Sequence, residues 1–331
     1  LAQAQPWPLR PVQHHLAHGL AVMAEHGLEP PLLVVAFDGL GYGVPLEGDD
    51  TAIAAAGHRL WGGELLLIGA EGPTHLGGLL PFPLPGGEKA MAEPRRSALG
   101  LLAAAGSCSG IDAFEHPGAH HTLAAFGAAE RALVRQAVTG GCNSPLSSSM
   151  GRLFDAAASL LGLCQQLSYE GEGGLRLQGA ASQAPGEKGS YPLPLLPAEG
   201  PPAAGGPPLG RLDWRPLLGA LLADIAAGEA PARCAARFHR GLAQAVATAA
   251  VVVAERWGCR QVALAGGCFQ NRLLLELAID ALRTRDLEPF WAEALPCNDG
   301  GLALGQVWAA RCLRWPAGSG GETCRQPGIP L

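Results

Sequence analysis

Two histidines four residues apart, His14 and His18, are the first residues in this chain whose type and spacing could do chemistry. On a helix that spacing places both imidazoles on one face within reach of a single cation, although surface or capping histidines can share it. His15 points away from that face. His116, His120 and His121 repeat the spacing, but Pro117 and Gly118 lie between them and favour a loop. A cation that works on a phosphate or an acyl group needs oxygen donors and open positions beside the imidazoles. Asp38, at the end of an apolar run, and Asp299, in the turn NDGG at 298–301, are aspartates that turns would present. With the histidines they compose a two-His, two-Asp set. Asp299 has a competing reading as the N-cap of the segment GLALGQVWAA.

The stretches DGLGYG (38–43), with Gly39 and Gly41, and AGGCFQN (265–271), with Gly266 and Gly267, can bring backbone N–H groups close to an anion or let a flat ring lie on the chain. Neither is a GxxxxGK[ST] loop or a GxGxxG fingerprint with its downstream acid, which disfavours P-loop nucleotidases and Rossmann dehydrogenases. Asn271 reads as a helix cap or as a polar contact to a nucleotide. Asp155, on an otherwise apolar helical segment, faces either solvent or a ligand hydroxyl. No cysteine sits in a nucleophile motif and no GxSxG occurs, so the chain's own thiols read as core residues.

The elements that must position these groups follow from periodicity and punctuation. A Pro-free segment from His14 to Glu25, followed by Gly27, predicts a helix. The run 32–37 predicts a buried strand ending in a tight glycine loop, and 61–68 a second strand. Helical stretches are expected around 88–104, 122–138 and 151–163. Residues 179–210 hold eight prolines and seven glycines, too many for a helix or a central strand. Beyond them 212–257 reads as two helices separated by Gly228, then 261–264 as a short strand running into glycines, with a helix from about Asn271. Two strand-to-glycine units on either side of a linker suggest two α/β lobes around a nucleotide: 1–178, a linker or insert over 179–210, and 211–331.

With 331 residues, two lobes or subdomains are the natural expectation. Hydrophobic residues at 48% against 16% charged exclude disorder. A formal charge of −6 and a pI near 5.9, without any long basic run, exclude a nucleic-acid partner. Nine scattered cysteines without a CxxC pair read as reduced thiols of a cytoplasmic protein. No apolar run approaches the ~18 residues that a membrane span requires. The chain opens on Leu1 and reads as part of a longer polypeptide.

The motifs also occur in a recognisable order. QHHLAH (13–18), FDGLGYG (37–43), WGGELLL (61–67), NSPLSSSMGRLFD (143–155), SYEG (168–171), GGCFQN (266–271) and NDGGLALGQ (298–306) resemble the C-terminal half of the HypF hydrogenase maturation carbamoyltransferases. The resemblance implies an α/β fold of the acetate and sugar kinase/Hsp70/actin type, with two ribonuclease-H-like lobes enclosing a nucleotide. It implies a divalent metal, iron or zinc, on His14, His18, Asp38 and Asp299, with ATP, AMP or carbamoyl-adenylate bound and Mg as a further ion. Gly266, Gly267 and Asn271 would lie near the adenosine, and Gly151 and Asp155 near the ribose. The reaction would be carbamoyl transfer from carbamoyl-adenylate to the C-terminal cysteine of a HypE-like partner, after YrdC-like and acylphosphatase-like domains, in cis or in trans, have made the adenylate. A nucleophile supplied by the partner accounts for the missing nucleophile motif. The alternatives are an O-carbamoyltransferase acting on a small-molecule hydroxyl and a non-catalytic nucleotide-binding scaffold. Two departures stand out: Arg95 replaces a family aromatic, and YEGEGGLRLQ (169–178) gains glycines and loses acids at Arg176 and Gln178. The second counts against the helix there and against one nucleotide-side contact.

Overall fold

The computed structural model describes residues 11–43, 60–109, 113–198 and 209–312. Helix α1 (His14–His26) starts at Gln13, whose side chain caps Leu16 N–H, and stops at Gly27 in the left-handed conformation. It leads into β1 (Leu32–Tyr42), β2 (Leu60–Gly69), β3 (Gly72–Leu79) and β4 (Phe82–Pro83). Helices α2 (Lys89–Ala92), α3 (Pro94–Ser109), α4 (His120–Ala124) and α5 (Ala128–Thr139) follow, then β5 (Leu146–Ser147), α6 (Met150–Leu160) and α7 (Glu172–Ala181). The remaining elements are β6 (Leu195–Pro197), β7 (Gly210–Leu212), α8 (Trp214–Ala226), α9 (Pro231–Trp257), β8 (Gln261–Ala265), α10 (Arg272–Arg283), β9 (Glu288–Trp291) and α11 (Leu302–Cys312).

The strands form one sheet of nine, with the main path β6-β7-β3-β2-β1-β8-β9 and β4 and β5 attached beside β2. Strands β1, β2 and β3 are antiparallel neighbours, whereas β8 joins β1, and β9 joins β8, in parallel. The two strand-to-glycine units expected on separate lobes are therefore adjacent in one sheet, with Ala36 opposite Ala265. Of the segment 179–210, residues 199–208 lie outside the described ones; the rest holds the end of α7, the edge strand β6 and the first residue of β7, and an edge tolerates the prolines that a central strand would not.

Strand β1 is buried on both faces, as its unbroken apolar run requires. Leu33, Val35 and Phe37 face the larger core with Leu153, Phe238 and Leu242 of α6 and α9, while Leu32, Val34 and Ala36 face α1 through Leu16, Leu20 and Met23. The period of two places Asp38 in line with Ala36, on the α1 face. The strand does not end at Asp38, as expected from the sequence, but continues through the glycines to Tyr42, with a register shift between Phe37 and Gly41. Helix α11 then packs along α1 so closely that a Cβ on Gly305 would lie 1.8 Å from the carbonyl oxygen of Ala17. Only glycine permits that approach, and the approach carries the N-terminal end of α11 up to the histidines.

The other expected helices are formed, including α8 and α9 separated by Gly228 in the left-handed region and α10 starting at Asn271. Helix α7 also forms despite Gly173 and Gly174, and Arg176 binds Glu172 one turn back at 2.6 Å. Arg95, in place of the aromatic, stacks over Phe126 at 4.3 Å and pairs with Glu93 and Glu130. Among the described residues no helix is long and apolar enough to cross a membrane. Substituting Gly305 by alanine is expected to cost about 1–3 kcal/mol through overpacking at the α1–α11 crossing. A urea melt reads this directly, and an unchanged midpoint would show that the crossing yields without cost.

Candidate metal and nucleotide site

Parallel pairing of β1 with β8 sets the carboxyl ends of two strands side by side, where open α/β sheets bind their ligands. Two residues beyond the Ala36–Ala265 pair, Gly267 N–H donates to Asp38 Oδ1 at 3.0 Å. Asp38 Oδ2 faces α1, 3.0 Å from His14 Nε2 and 3.4 Å from His18 Nε2. Asp299 Oδ1 approaches from the far side, 3.5 Å from His14 Nε2 and 3.4 Å from His18 Nε2. The imidazole Nε2 atoms are themselves 3.3 Å apart. All four donor atoms lie within 4.8 Å of one another, the one such cluster of potential ligands among the described residues.

Those separations are what a small divalent cation demands. Four N and O ligands arranged tetrahedrally at ~2.1 Å from zinc are roughly 3.4 Å from each other; five of the six separations here run from 3.0 to 3.5 Å, and the sixth, between the two carboxylates, is within 4.8 Å. Two imidazole nitrogens and two carboxylate oxygens from separate parts of the chain converge on one point, the donor chemistry that suits a divalent cation. The hydrogen bond that His14 donates to Asp38 raises the His14 pKa above its ordinary value, against the opposing effect of burial. Burial works to raise the Asp38 pKa, but the hydrogen bonds to His14 and His18 overcome it and hold the carboxyl well below the usual range. Asp38 is thus a buried anion, ready for positive charge. Asp299 lies in a short 3-10 turn preceding α11; the residue capping that turn is Asn298, whose side chain accepts from Gly300 N–H. The capping alternative for Asp299 therefore falls to its neighbour.

Beside the four donors opens a cleft of about 450 Å³. Gly39, Gly151, Asp155, Gly267 and Asn271 line it together with Asp38 and Asp299. Gly41 and Gly266 are not on its wall. A Cβ on Gly41 would fall 2.5 Å from the His15 ring and 2.6 Å from His14, so that glycine makes room for the imidazoles. Gly266, in the left-handed region, lies against the Phe37 carbonyl and shapes the turn that presents Gly267. Asn271 caps α10 through Oδ1, while its Nδ2 donates to His239 Nε2 at 2.9 Å and Gly174 O at 3.3 Å. Its side chain is occupied in joining α7, α9 and α10, so the capping reading holds and the residue contributes to the cleft chiefly as wall.

Asp155 is buried and turned toward the cleft, neither solvent-exposed nor on an idle face. Burial lifts its pKa to about 6, with Arg152 opposing and Glu170 reinforcing the shift. Arg152 Nη1 lies 3.0 Å from Asp155 Oδ2, a buried ion pair at the cleft wall in which that oxygen has no aligned hydrogen bond. Arg152 also holds the Met91 carbonyl at 2.9 Å. Three wall residues had no individual signal in the sequence: Arg152, Glu170 and the half-exposed Tyr169 at the mouth. The trio His116, His120 and His121 belongs to a 3-10 turn and α4, outside this site.

A donor set that could hold a cation thus stands at the carboxyl edge of an α/β sheet, beside a cleft partly lined by glycines. Comparison with known proteins identifies the family. Residues 34–306 match the family model described as carbamoyltransferase, Kae1-like domain, second subdomain, and the chain belongs to this family, that of the HypF carbamoyltransferases. It is 39% identical over 322 residues to carbamoyltransferase HypF2 of Cupriavidus necator, covering 92% of this chain and 36% of that protein. It is 40% identical over 308 residues to carbamoyltransferase HypF of Rhodobacter capsulatus, with the same coverage of 92% and 36%. A HypF homolog of Cupriavidus necator is 37% identical, and 71% of its length is matched. Among solved structures, full-length HypF in a phosphate- and nucleotide-bound form superposes with a TM-score of 0.77 at 28% identity, over 93% of this chain and 44% of that one. HypF of T. kodakarensis gives 0.72 at 31%, over 90% and 36%. The chain thus spans just over a third of the length of the first two relatives, 36% in each case.

The protonation of Asp155 yields a pH prediction. Its pKa in the fold, about 6, stands above the ordinary 3.8, so the folded state holds a proton that the unfolded state has lost. Stability therefore falls as pH rises from about 4 to about 6 and stays lowered above, by about 3 kcal/mol as an order of magnitude. Asp155→Asn should remove this loss, so that the variant gains on the wild type in urea melts between pH 4 and pH 7. An equal offset at both pH values would contradict the assignment.

Proposed function

We propose that this chain transfers a carbamoyl group from carbamoyl-adenylate to the C-terminal cysteine thiolate of a HypE-like partner, the step toward the cyanide ligands of nickel-iron hydrogenase. The observation that carries the reading is that the four-donor cluster shares two of its members, Asp38 and Asp299, with the cleft wall. His14, His18, Asp38 and Asp299 would hold one divalent cation, iron or zinc, which supplies positive charge for the adenylate phosphate and the developing charge on the acyl oxygen. In the transfer the sulfur forms a bond to the carbamoyl carbon, the bond from that carbon to the phosphate oxygen breaks, and AMP leaves.

The chain's own groups do the positioning. The amino end of α6 at Gly151 and the backbone of Gly39 and Gly267 bring N–H groups and close backbone to the cleft wall. Asp155, on the cleft wall, suits a ribose hydroxyl as donor or acceptor on either side of its titration. Cys268, the thiol on the cleft wall, has its pKa pushed well above the ordinary value by burial, so it stays protonated and is a poor nucleophile. That favours an attacking thiolate supplied by a partner.

The adenylate itself would be made by YrdC-like and acylphosphatase-like domains of the longer relatives, in cis or in trans. The two-lobed kinase/actin-type arrangement is proposed to require a second ribonuclease-H-like unit in addition to the single β3-β2-β1-β8-β9 sheet. The family description as a second subdomain supports that view.

Plasma mass spectrometry on the purified chain tests the site: about one iron or zinc per chain is expected after repletion, and none in a His14→Ala/His18→Ala variant. The same variant should slow transfer from carbamoyl-adenylate to a cysteine-terminated peptide by on the order of 100-fold or more. A wild type that takes up no metal, or a metal-free variant that transfers at the wild-type rate, would sink the proposal.

A further inference from the structure

Three of the four donors stand on α1 and β1, and one buried carboxylate outside the cluster connects to the supports of both. Glu64 of β2 is fully buried and lies opposite Ala36 in the register, hence on the α1 face of the sheet. Its segment, WGGELLLI, reads from sequence as an apolar strand, with nothing to announce a charge in the interior. Three donors compensate it. His75 Nε2 lies 2.7 Å from Oε2, the Ser148 hydroxyl makes a short hydrogen bond to Oε1, and Gly62 N–H lies 3.4 Å from Oε1. Burial tends to raise the Glu64 pKa, but the His75 hydrogen bond leads the effects that bring it down to about 2.

From Glu64 one path runs to β1. Ser148 is followed by Ser149, which caps α6 by accepting from Arg152 N–H and makes a short hydrogen bond to the carbonyl of Gly39, the residue after Asp38. The two glycines of WGGE allow this fit: a Cβ on Gly62 would stand 2.8 Å from the Asp38 carbonyl oxygen, and one on Gly63 2.6 Å from that of Ser148. A second path runs to α1. His75 stacks on Trp61 at 4.3 Å, Trp61 lies 6.0 Å from His15, and His15 packs 5.1 Å from His14. His15 has its own anchor in Gln13 Nε2, 3.1 Å from Nδ1. A carboxylate so placed fixes the backbone beside one donor and the ring layer beneath another.

We infer that Glu64 is the positioning residue of the four-donor site, clamping Ser148 and His75 so that Asp38 and His14 are held at the separation a cation requires. Glu64 touches no substrate and no donor side chain. The inference rests on the metal reading above and assigns to the buried glutamate a role that its burial alone does not explain. Partners behind a ligand set commonly matter to metal affinity by about 10- to 100-fold.

The test uses cobalt(II) alone as the probe, titrated into the full chain and followed by its visible ligand-field spectrum. Glu64→Gln retains the size and loses the charge; Ser148→Ala breaks only the path to β1 and serves where the first variant does not fold. Leu282→Ala, a buried substitution at the far end of α10, controls for general loss of stability. Cobalt binding weakened about 10- to 100-fold with a changed spectrum in the Glu64 or Ser148 variant, beside wild-type binding in the Leu282 variant, is the expected result. Wild-type affinity and spectrum in Ser148→Ala and in any folded Glu64→Gln protein would overturn the inference while leaving the metal site standing. Equal weakening in Leu282→Ala would reduce Glu64 to ordinary core stability. No cobalt binding by the wild type would remove the metal reading and this inference together.

Discussion

An ionised carboxylate withdrawn from water costs several kcal/mol unless fixed partners replace the lost hydration. Asp38 is 7% exposed and meets that requirement with the Gly267 N–H on one oxygen and two imidazoles on the other. The partners come from two distant parts of the chain, α1 and the turn after β8, so the chain must close on itself for the charge to be tolerated. The parallel pairing of β1 with β8 supplies the N–H, and the packing of α1 on the sheet supplies the imidazoles. The tight crossing at Gly305 brings Asp299 to the remaining side. A second buried acid, Glu64, repeats the same logic one strand over, with His75 and Ser148 as its partners.

This arrangement explains why the cleft and the donor cluster are one site. Gly39 and Gly267 continue from the strands that carry or bind Asp38, and Gly151 begins the helix capped by Ser149, whose hydroxyl holds the Gly39 carbonyl. A ligand on the cleft wall is therefore a few residues from the cation donors along several separate connections. Asp155, in contrast, is kept neutral up to about pH 6 by burial. The site places a permanent anion and a titratable acid at its two ends, suited respectively to a cation and to a hydroxyl.

Local signals made part of this legible in the sequence. The helix from His14 could be read because it has no proline and a glycine at its end, and the HxxxH spacing then fixed the face. The apolar run at 32–37, the break at Gly228 and the cap at Asn271 are equally local. What could not be read depends on long-range pairing. β1 continues through its glycines because Gly41 and Tyr42 pair with Trp61 and Leu60, a partner strand that propensity does not know about. β3, GPTHLGGL, is a strand by virtue of its neighbours β2 and β7 rather than its composition. That residues some 229 positions apart, such as Asp38 and Gly267, share one sheet edge is likewise invisible to local patterns. Glu64 and His75 were hidden for the same reason, since a charge inside an apolar strand makes sense only once its partner is seen. Of the glycines, Gly39, Gly151 and Gly267 line the cleft, whereas Gly41 and Gly266 serve packing and turn geometry.

The central claim is that His14, His18, Asp38 and Asp299 bind one cation through nitrogen and oxygen. Zinc K-edge X-ray absorption on the zinc-loaded chain addresses it most directly, because thiols Cys268 and Cys297 lie near Asp38 and offer the obvious competing ligands. The account predicts a first shell of N and O at about 2.0–2.2 Å with the outer scattering of two imidazoles. A shell containing sulfur at about 2.3 Å, or one without imidazole scattering, would contradict it.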